Sequence, residues 1–263
     1  RPAAAESATP PKPAPAVATR RAVVLTALRL EFRAVREQLD EVREVTHPTV
    51  GTVYDVGRLA AGGDWEVAIV EVGAGNVAAS LETERAIDHF QPNAVVFVGV
   101  AGGLKDVKLG DVVVATKVYG YESGKDTAEG FRPRPELGMG GHALLQRAKA
   151  EARKGDWVSR VKGTPAPDDV EAFTGPIAAG EKVLAHAGSE LVKFLRAHYG
   201  DALAVEMEGH GVMQAAHQRK VDAMVVRGIS DLVDGKAEAD KSGWQPRAAR
   251  HAAAFAAQVL AKL

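Results

Sequence analysis

Four short runs in this chain are apolar on both faces at once, and this most constrains what it can fold into. They are Ala22–Thr26, Ala94–Val100, Asp111–Tyr119 and residues 223–229, all rich in β-branched side chains. A strand with water on one side alternates apolar and polar residues, whereas a strand without alternation is covered on both sides. Helical patterns lie between these runs. Residues 29–41 carry Leu30, Phe32, Val35 and Leu39 at helical spacing, and Asn76–Phe90 and residues 142–154 read as helices. Another helix follows Ser189, a good N-cap. Strand 202–206, a helix from about Glu208 to Arg219 and an alanine-rich helix from about residue 246 complete the pattern. Val53–Leu59 and Trp65–Val72 read as a hairpin through Gly62 and Gly63, which makes the sheet mixed. Residues 163–176 hold Gly163, Pro165, Pro167, Gly175 and Pro176 and read as a loop. The expected fold is α/β: a single domain with a central twisted mixed β-sheet flanked by helices on both faces.

Residues 1–21 differ from the rest. Pro2, Pro10, Pro11, Pro13 and Pro15 alternate with alanines, a composition that cannot bury a core. The reading is a Pro/Ala-rich linker or disordered leader at 1–21, followed by one domain over 22–263. The start at Arg1 suggests a piece of a longer polypeptide; an ordinary frayed terminus is the plainer alternative.

Composition removes several functions. With no cysteine among 263 residues, disulfides, thiolate nucleophiles and cysteine zinc sites are excluded. A formal net charge of −1 leaves no footprint for nucleic acid. The longest apolar run, around Ala94 to Leu104, falls well short of the roughly 20 residues of a membrane span. No signal peptide is recognised, so a cytoplasmic location is expected, with neither nucleic acid nor membrane as partner.

The chemistry concentrates where strands end. Ala204-Val205-Glu206-Met207-Glu208 and Val225-Val226-Arg227-Gly228-Ile229-Ser230-Asp231 are apolar strands that exit in acids. Open α/β sheets bind ligands just outside the carboxyl ends of their strands. Two acidic exits suggest one carboxylate for hydroxyls and another that manages a proton. Alternation puts Glu206 and Glu208 on one side and Met207 on the other. The plain reading of Asp231 is a turn or cap aspartate. That of Glu31, beside Arg29, Arg33 and Arg36, is a solvated helix face. Gly73-Ala74-Gly75-Asn76-Val77-Ala78 matches a dinucleotide fingerprint, but the next strand ends without the required acid, at Val98-Gly99-Val100-Ala101. A tight turn is the alternative. Gly99-Val100-Ala101-Gly102-Gly103 is a second glycine-rich exit that lets backbone approach a flat ligand. His210 and His217 lack a third ligand at metal spacing and read as ordinary helix residues.

Taken together, these segments resemble the purine-nucleoside and uridine phosphorylase superfamily. The nearest likeness is to methylthioadenosine/S-adenosylhomocysteine nucleosidases. It runs from about Ala22 to the end, on Thr26–Glu31, Gly73-Ala74-Gly75, Val98–Gly103 with Gly110-Asp111-Val112-Val113, Ala204–Glu208 and Val226–Asp231. Trp244-Gln245-Pro246 with the alanine-rich helix resembles the nucleosidase domains of immune-type, antiviral-defence proteins, some of which cleave adenine nucleotides. The resemblance implies a nucleoside phosphorylase-like fold and release of adenine by N-glycosidic hydrolysis, without metal or organic cofactor. It implies three catalytic residues: Asp231 serves the departing purine, Glu31 the attacking water, and Glu208 the ribose hydroxyls. It further implies a substrate-binding set of Met207, Glu206, Gly75, Ala101, Gly102, Lys182, Val183, Arg227 and Ser230. Arg227 and Ser230 support the Asp231 loop. Relatives place an aromatic ring where this chain has Val183, which puts base stacking in question.

Family phosphorylases hold phosphate with an arginine and a hydroxyl at positions that look like Phe97 and Val100 here, so water is the expected nucleophile. The rivals are a phosphate-dependent phosphorylase and a non-catalytic nucleoside- or nucleotide-binding sensor or oligomerisation module. The expected partner is a purine nucleoside or nucleotide, ATP included, and the immune-type likeness favours an adenine nucleotide over a neutral thioether nucleoside. For a nucleotide, Arg29, Lys105, Lys117, Lys125, Arg132, Arg134 and Lys182 are candidate phosphate ligands, and a solvated surface is the plainer reading of these cations. A homo-oligomer is expected, within a larger multidomain protein or a defence operon.

Overall fold

In the computed structural model, residues 19–60, 62–184, 188–233 and 243–263 are described; most of the proline-rich leader lies outside them. Strands β1 (Arg20–Thr26), β4 (Trp65–Glu71), β5 (Ala94–Gly103) and β12 (Ala223–Leu232) form a parallel centre. β2 (Leu39–Thr46) and β3 (Val53–Leu59) extend it antiparallel beyond β4. On the other side β6 (Val112–Gly120) runs antiparallel to β12 and carries β10 (Ala172–Ala179) and β11 (Ala204–Glu206) in parallel. β11 then pairs antiparallel with the end of β5, where Val205 meets Gly102 and Ala204 meets Gly103. β5, β12, β6, β10 and β11 thus close into a ring, and β5 carries β1 on its outer flank.

Alternation along each central strand feeds two apolar layers. Val24, Val96, Val98, Met224 and Val226 face one layer with the alanines and Phe255 of α6 (Trp244–Lys262). Val23, Leu25, Val95, Phe97 and Val225 face the other. That layer also takes in α2 (Asn76–Phe90) and α5 (Gly209–Gln218) through Ala79, Ala86, Val212 and Ala216. α1 (Arg29–Arg36) and α3 (His142–Lys154) join the first layer, and α4 (Glu190–His198) covers a third cluster around Tyr121, Leu195 and Val205. Ser189 caps α4 by accepting from the Val192 N–H at 3.2 Å. The mixed sheet with helices on both faces is the expected one.

Several boundaries differ from expectation. The helix read over 29–41 stops at Arg36, and the chain enters β2. β2 is an outer strand with five exposed positions, so its charged residues mimic a helix face. The loop read over 163–176 gives way to strand at Ala172. Pro176 is tolerated there because the pairing with β6 shifts register between Gly175 and Ile177. Short strands β7 (Gly124–Thr127), β8 (Gly130–Pro133) and β9 (Glu136–Met139) were not anticipated. β12 runs three residues past the expected 229, because a register shift against β5 between Ile229 and Asp231 absorbs Ser230. No described helix is long and apolar enough to cross a membrane.

Candidate active site

A cavity of roughly 220 Å³ opens where the carboxyl ends of β1, β5, β11 and β12 converge. Its lining includes Glu31, Ala101, Gly102, Lys182, Val183, Glu206, Met207, Glu208, Ser230 and Asp231. The three acids read as catalytic therefore face one space, although they are 23 to 200 residues apart in sequence. They are nearly removed from bulk water, at 2% exposure for Glu31, 6% for Glu208 and 5% for Asp231.

Glu31 is no solvated helix residue. It sits in the first turn of α1 and reaches back, so that its Oε2 accepts the Ala27 and Leu28 N–H groups at 2.8 and 2.9 Å. Its Oε1 accepts the Val100 N–H from β5 at 2.8 Å. Burial pushes its carboxyl above the ordinary 4.5, against the pull of Arg227 and of these three donors.

Glu208 occupies the N-cap position of α5 but does not cap it with its side chain. Its Oε1 accepts the Gly75 N–H at 3.1 Å, and its Oε2 lies 3.3 Å from Arg227 Nη2. Burial raises its pKa from 4.5 to about 7; Arg227 and the Gly75 N–H oppose the rise, and the negative charges of Glu206 and Glu31 add to it. Glu206 binds Arg227 more closely still. Asp231 accepts the Ser230 hydroxyl at 2.9 Å. The bulge at Ser230 lets both side chains face the cavity, which strict alternation would forbid.

Two expectations need correction. Arg227 is not among the described residues that line the cavity. It is fully buried, crosses the Phe97 ring at 3.9 Å and lies behind the glutamates. Gly99 permits this, since a Cβ there would overlap the guanidinium and stand 2.6 Å from Glu31 Oε1. Gly75 acts through its backbone on Glu208 rather than from the cavity wall. The glycine turn before α2 is not a dinucleotide seat: the Gly75 and Asn76 N–H groups are taken by Glu208 and Glu181, two carboxylates of the chain itself.

Sequence reasoning missed Asn76, whose side chain donates to Gly180 O and Glu181 Oε1 and accepts the Gly211 N–H. It ties α2, α5 and the segment after β10 together, and only its place at a helix start hinted at this. It also missed the Lys182–Glu122 ion pair beside the cavity and the contribution of Gln245 from α6.

An α/β sheet whose strand ends converge on a cavity lined by buried carboxylates defines a small-molecule binding site. A family model, the phosphorylase superfamily, matches residues 21–261, and the chain belongs to that family. It is 32% identical over 225 residues to the 5'-methylthioadenosine/S-adenosylhomocysteine nucleosidase of Colwellia psychrerythraea, covering 81% of this chain and 84% of the relative. The crystal structure of a nucleosidase of that name from the same organism, in complex with adenine, superposes with a TM-score of 0.78 at 28% identity, covering 93% of this chain and 96% of the other. The futalosine hydrolase of Helicobacter pylori superposes at 0.75 with 26% identity, covering 93% and 99%.

Proposed function

We propose that the chain is an N-glycosyl hydrolase that releases adenine from an adenine nucleoside. The observation that carries this reading is the convergence of Glu31, Glu208 and Asp231 on one buried cavity in a member of this family. Cleavage breaks the bond between the anomeric carbon and the purine nitrogen, and the bonding electrons leave with the base. Positive charge grows on the sugar and negative charge on the purine. Asp231, oriented by Ser230, passes a proton to the purine ring as it departs. Glu208, as a carboxylate, holds ribose hydroxyls and stabilises the developing cation. Glu31 takes the proton of the attacking water, whose oxygen bonds to the anomeric carbon.

Water is favoured over phosphate. Phe97 is buried under Arg227, and Val100 offers only its N–H, already given to Glu31. Arg227 Nε and Nη1 have no hydrogen-bond partner among the described residues, but the guanidinium is held by two glutamates. An added phosphate would meet four carboxylates in the cavity wall.

The same balance favours a nucleoside over a nucleotide. Lys182 is the only cation among the described cavity-lining residues, and Glu122 holds it at 2.5 Å. Of the other candidate phosphate ligands, Lys117 pairs with Asp201 and Lys105 with Asp106. A defence enzyme acting on ATP is therefore the less supported reading. The proposed homo-oligomer draws on exposed apolar side chains at Leu28 and Val183, which line the cavity, and at Val77 on α2; light scattering on the purified protein tests it.

The deciding experiment is incubation with methylthioadenosine, adenosine, AMP and ATP, with and without phosphate, followed by chromatography of the free base. Adenine release from a nucleoside, unaffected by phosphate, is expected. Release that requires phosphate would make the protein a phosphorylase, and release from none of the four would favour a binding module.

A further inference from the structure

Glu206 lines the cavity, and its place beside Glu208 suggests a second sugar ligand. Its hydrogen bonds say otherwise. Oε2 accepts the Glu208 N–H at 3.1 Å, the Gly209 N–H at 2.8 Å and Arg227 Nη2. Oε1 accepts the same Gly209 N–H at 2.9 Å. A carboxylate has about four acceptor sites, and these contacts use nearly all of them. A ribose hydroxyl could be bound only by releasing Arg227, which is fully buried, or the start of α5.

α5 supplies the second half of the argument. Its first N–H groups need acceptors. Glu208 stands at the N-cap, where a side chain ordinarily folds back onto its own helix. Here Glu206, two residues earlier, takes that duty. Gly209 makes room for it, since a Cβ there would stand 2.8 Å from Glu206 Oε1. Relieved of capping, the Glu208 carboxylate is drawn across to the Gly75 N–H and Arg227, with its face to the cavity.

We infer that Glu206 is a positioning residue, which holds the 208–209 turn and one side of Arg227 so that Glu208 faces the sugar. This deepens the hydrolase reading above and rests on it for the identity of the sugar. The groups that face Glu208 are Glu206, Arg227, Glu31 and the Gly75 N–H. Removing the Glu206 charge takes away a neighbouring anion and leaves Arg227 to Glu208 and Glu31. Both changes favour the ionised form of Glu208, so its titration moves down from about 7.

The test is carboxyl-carbon NMR titration of glutamate-labelled full-length protein, with the Glu208 signal assigned by its loss in Glu208→Gln. Two variants are compared with the parent: Glu206→Gln, and Gly209→Ala, which displaces the Glu206 carboxylate without removing it. The midpoint of Glu208 is expected to fall by about one pH unit or more in the first and in the same direction in the second. The acid limb of kcat/KM for methylthioadenosine should shift with it, with kcat/KM at pH 6 altered more than at pH 8. A parent-like Glu208 midpoint in both variants overturns the inference. So does a Glu206→Gln enzyme with raised KM, unchanged kcat and an unmoved acid limb, because that pattern marks a direct substrate ligand. A parent protein that releases no adenine defeats the hydrolase reading alone, since the titration needs no turnover.

Discussion

Two buried glutamates, Glu151 and Glu208, show how one residue type is put to opposite uses. Glu151 on α3 is 1% exposed and Glu208 is 6% exposed. Glu151 has three side-chain donors of its own: Gln258 at 2.8 Å, Lys154 at 3.1 Å and Arg147 at 3.3 Å. Burial alone would raise its pKa, but these partners outweigh it and hold the carboxyl below 4.5. Glu208 shares its single cation with Glu206, under a further negative charge from Glu31, and rises to about 7. What separates them is the supply of donors together with the deeper enclosure of the Glu208 carboxyl. A fully partnered acid serves the fold, and an under-partnered one beside a cavity remains available for a reaction.

That contrast can be broken from the reactive side first. Asp231→Asn should lower kcat for adenine release by at least about 10²–10⁴-fold while the melting temperature stays within a few degrees, because a positioned acid contributes that much. Near-parental turnover would remove Asp231 from the chemistry. Glu208→Gln should cost on the order of 10²-fold in kcat/KM for methylthioadenosine; a loss confined to stability would place Glu208 with Glu151.

Glu151→Gln is the mirror test. It should lower unfolding free energy by about 1–3 kcal/mol, since buried donors lose a charged acceptor, with kcat unchanged. Chemical denaturation beside a steady-state assay decides it, and a fall in kcat would blur the distinction between the two sites.

The contrast is sharpest in the pH dependence of stability. Glu208 binds its proton more tightly folded than unfolded, so its contribution is complete below about pH 4.5 and is lost as pH rises toward 7. The loss is on the order of 3 kcal/mol at most. Glu151 has the opposite sign: its contribution is present above pH 4.5 and is lost as pH falls through its depressed folded pKa. Urea melts between pH 3 and 8 should show Glu208→Gln flattening the upper window and Glu151→Gln the lower. Curves parallel to the parent in both variants would refute this division.

Much of this was visible before any coordinates. Apolar runs without alternation mark strands covered on both sides, whatever the topology, and the central strands lie where those runs lie. Asp231 and Glu208 stand out because an acid at the end of an apolar strand has no packing reason to be there. Glu31 was legible only through family resemblance, because its neighbours Arg29, Arg33 and Arg36 make it look like surface. Its burial depends on the Val100 N–H, 69 residues away. The place of Arg227 behind the cavity wall was equally hidden from the sequence. The family resemblance put it with Asp231, and strand alternation turns its guanidinium toward Phe97 and the glutamates.

By itself the sequence determined which segments must be buried and which strand exits carry acids, because hydrophobic periodicity and side-chain chemistry are local properties. Only the tertiary structure decided which acid is satisfied and which is poised. That depends on donors arriving from distant elements: Arg227 shared between Glu206 and Glu208, the Gly75 N–H at the start of α2, and the Ser230 bulge that aims Asp231 at the cavity. A carboxylate takes its protonation state from the charges and N–H groups around it, and no local stretch of chain specifies those.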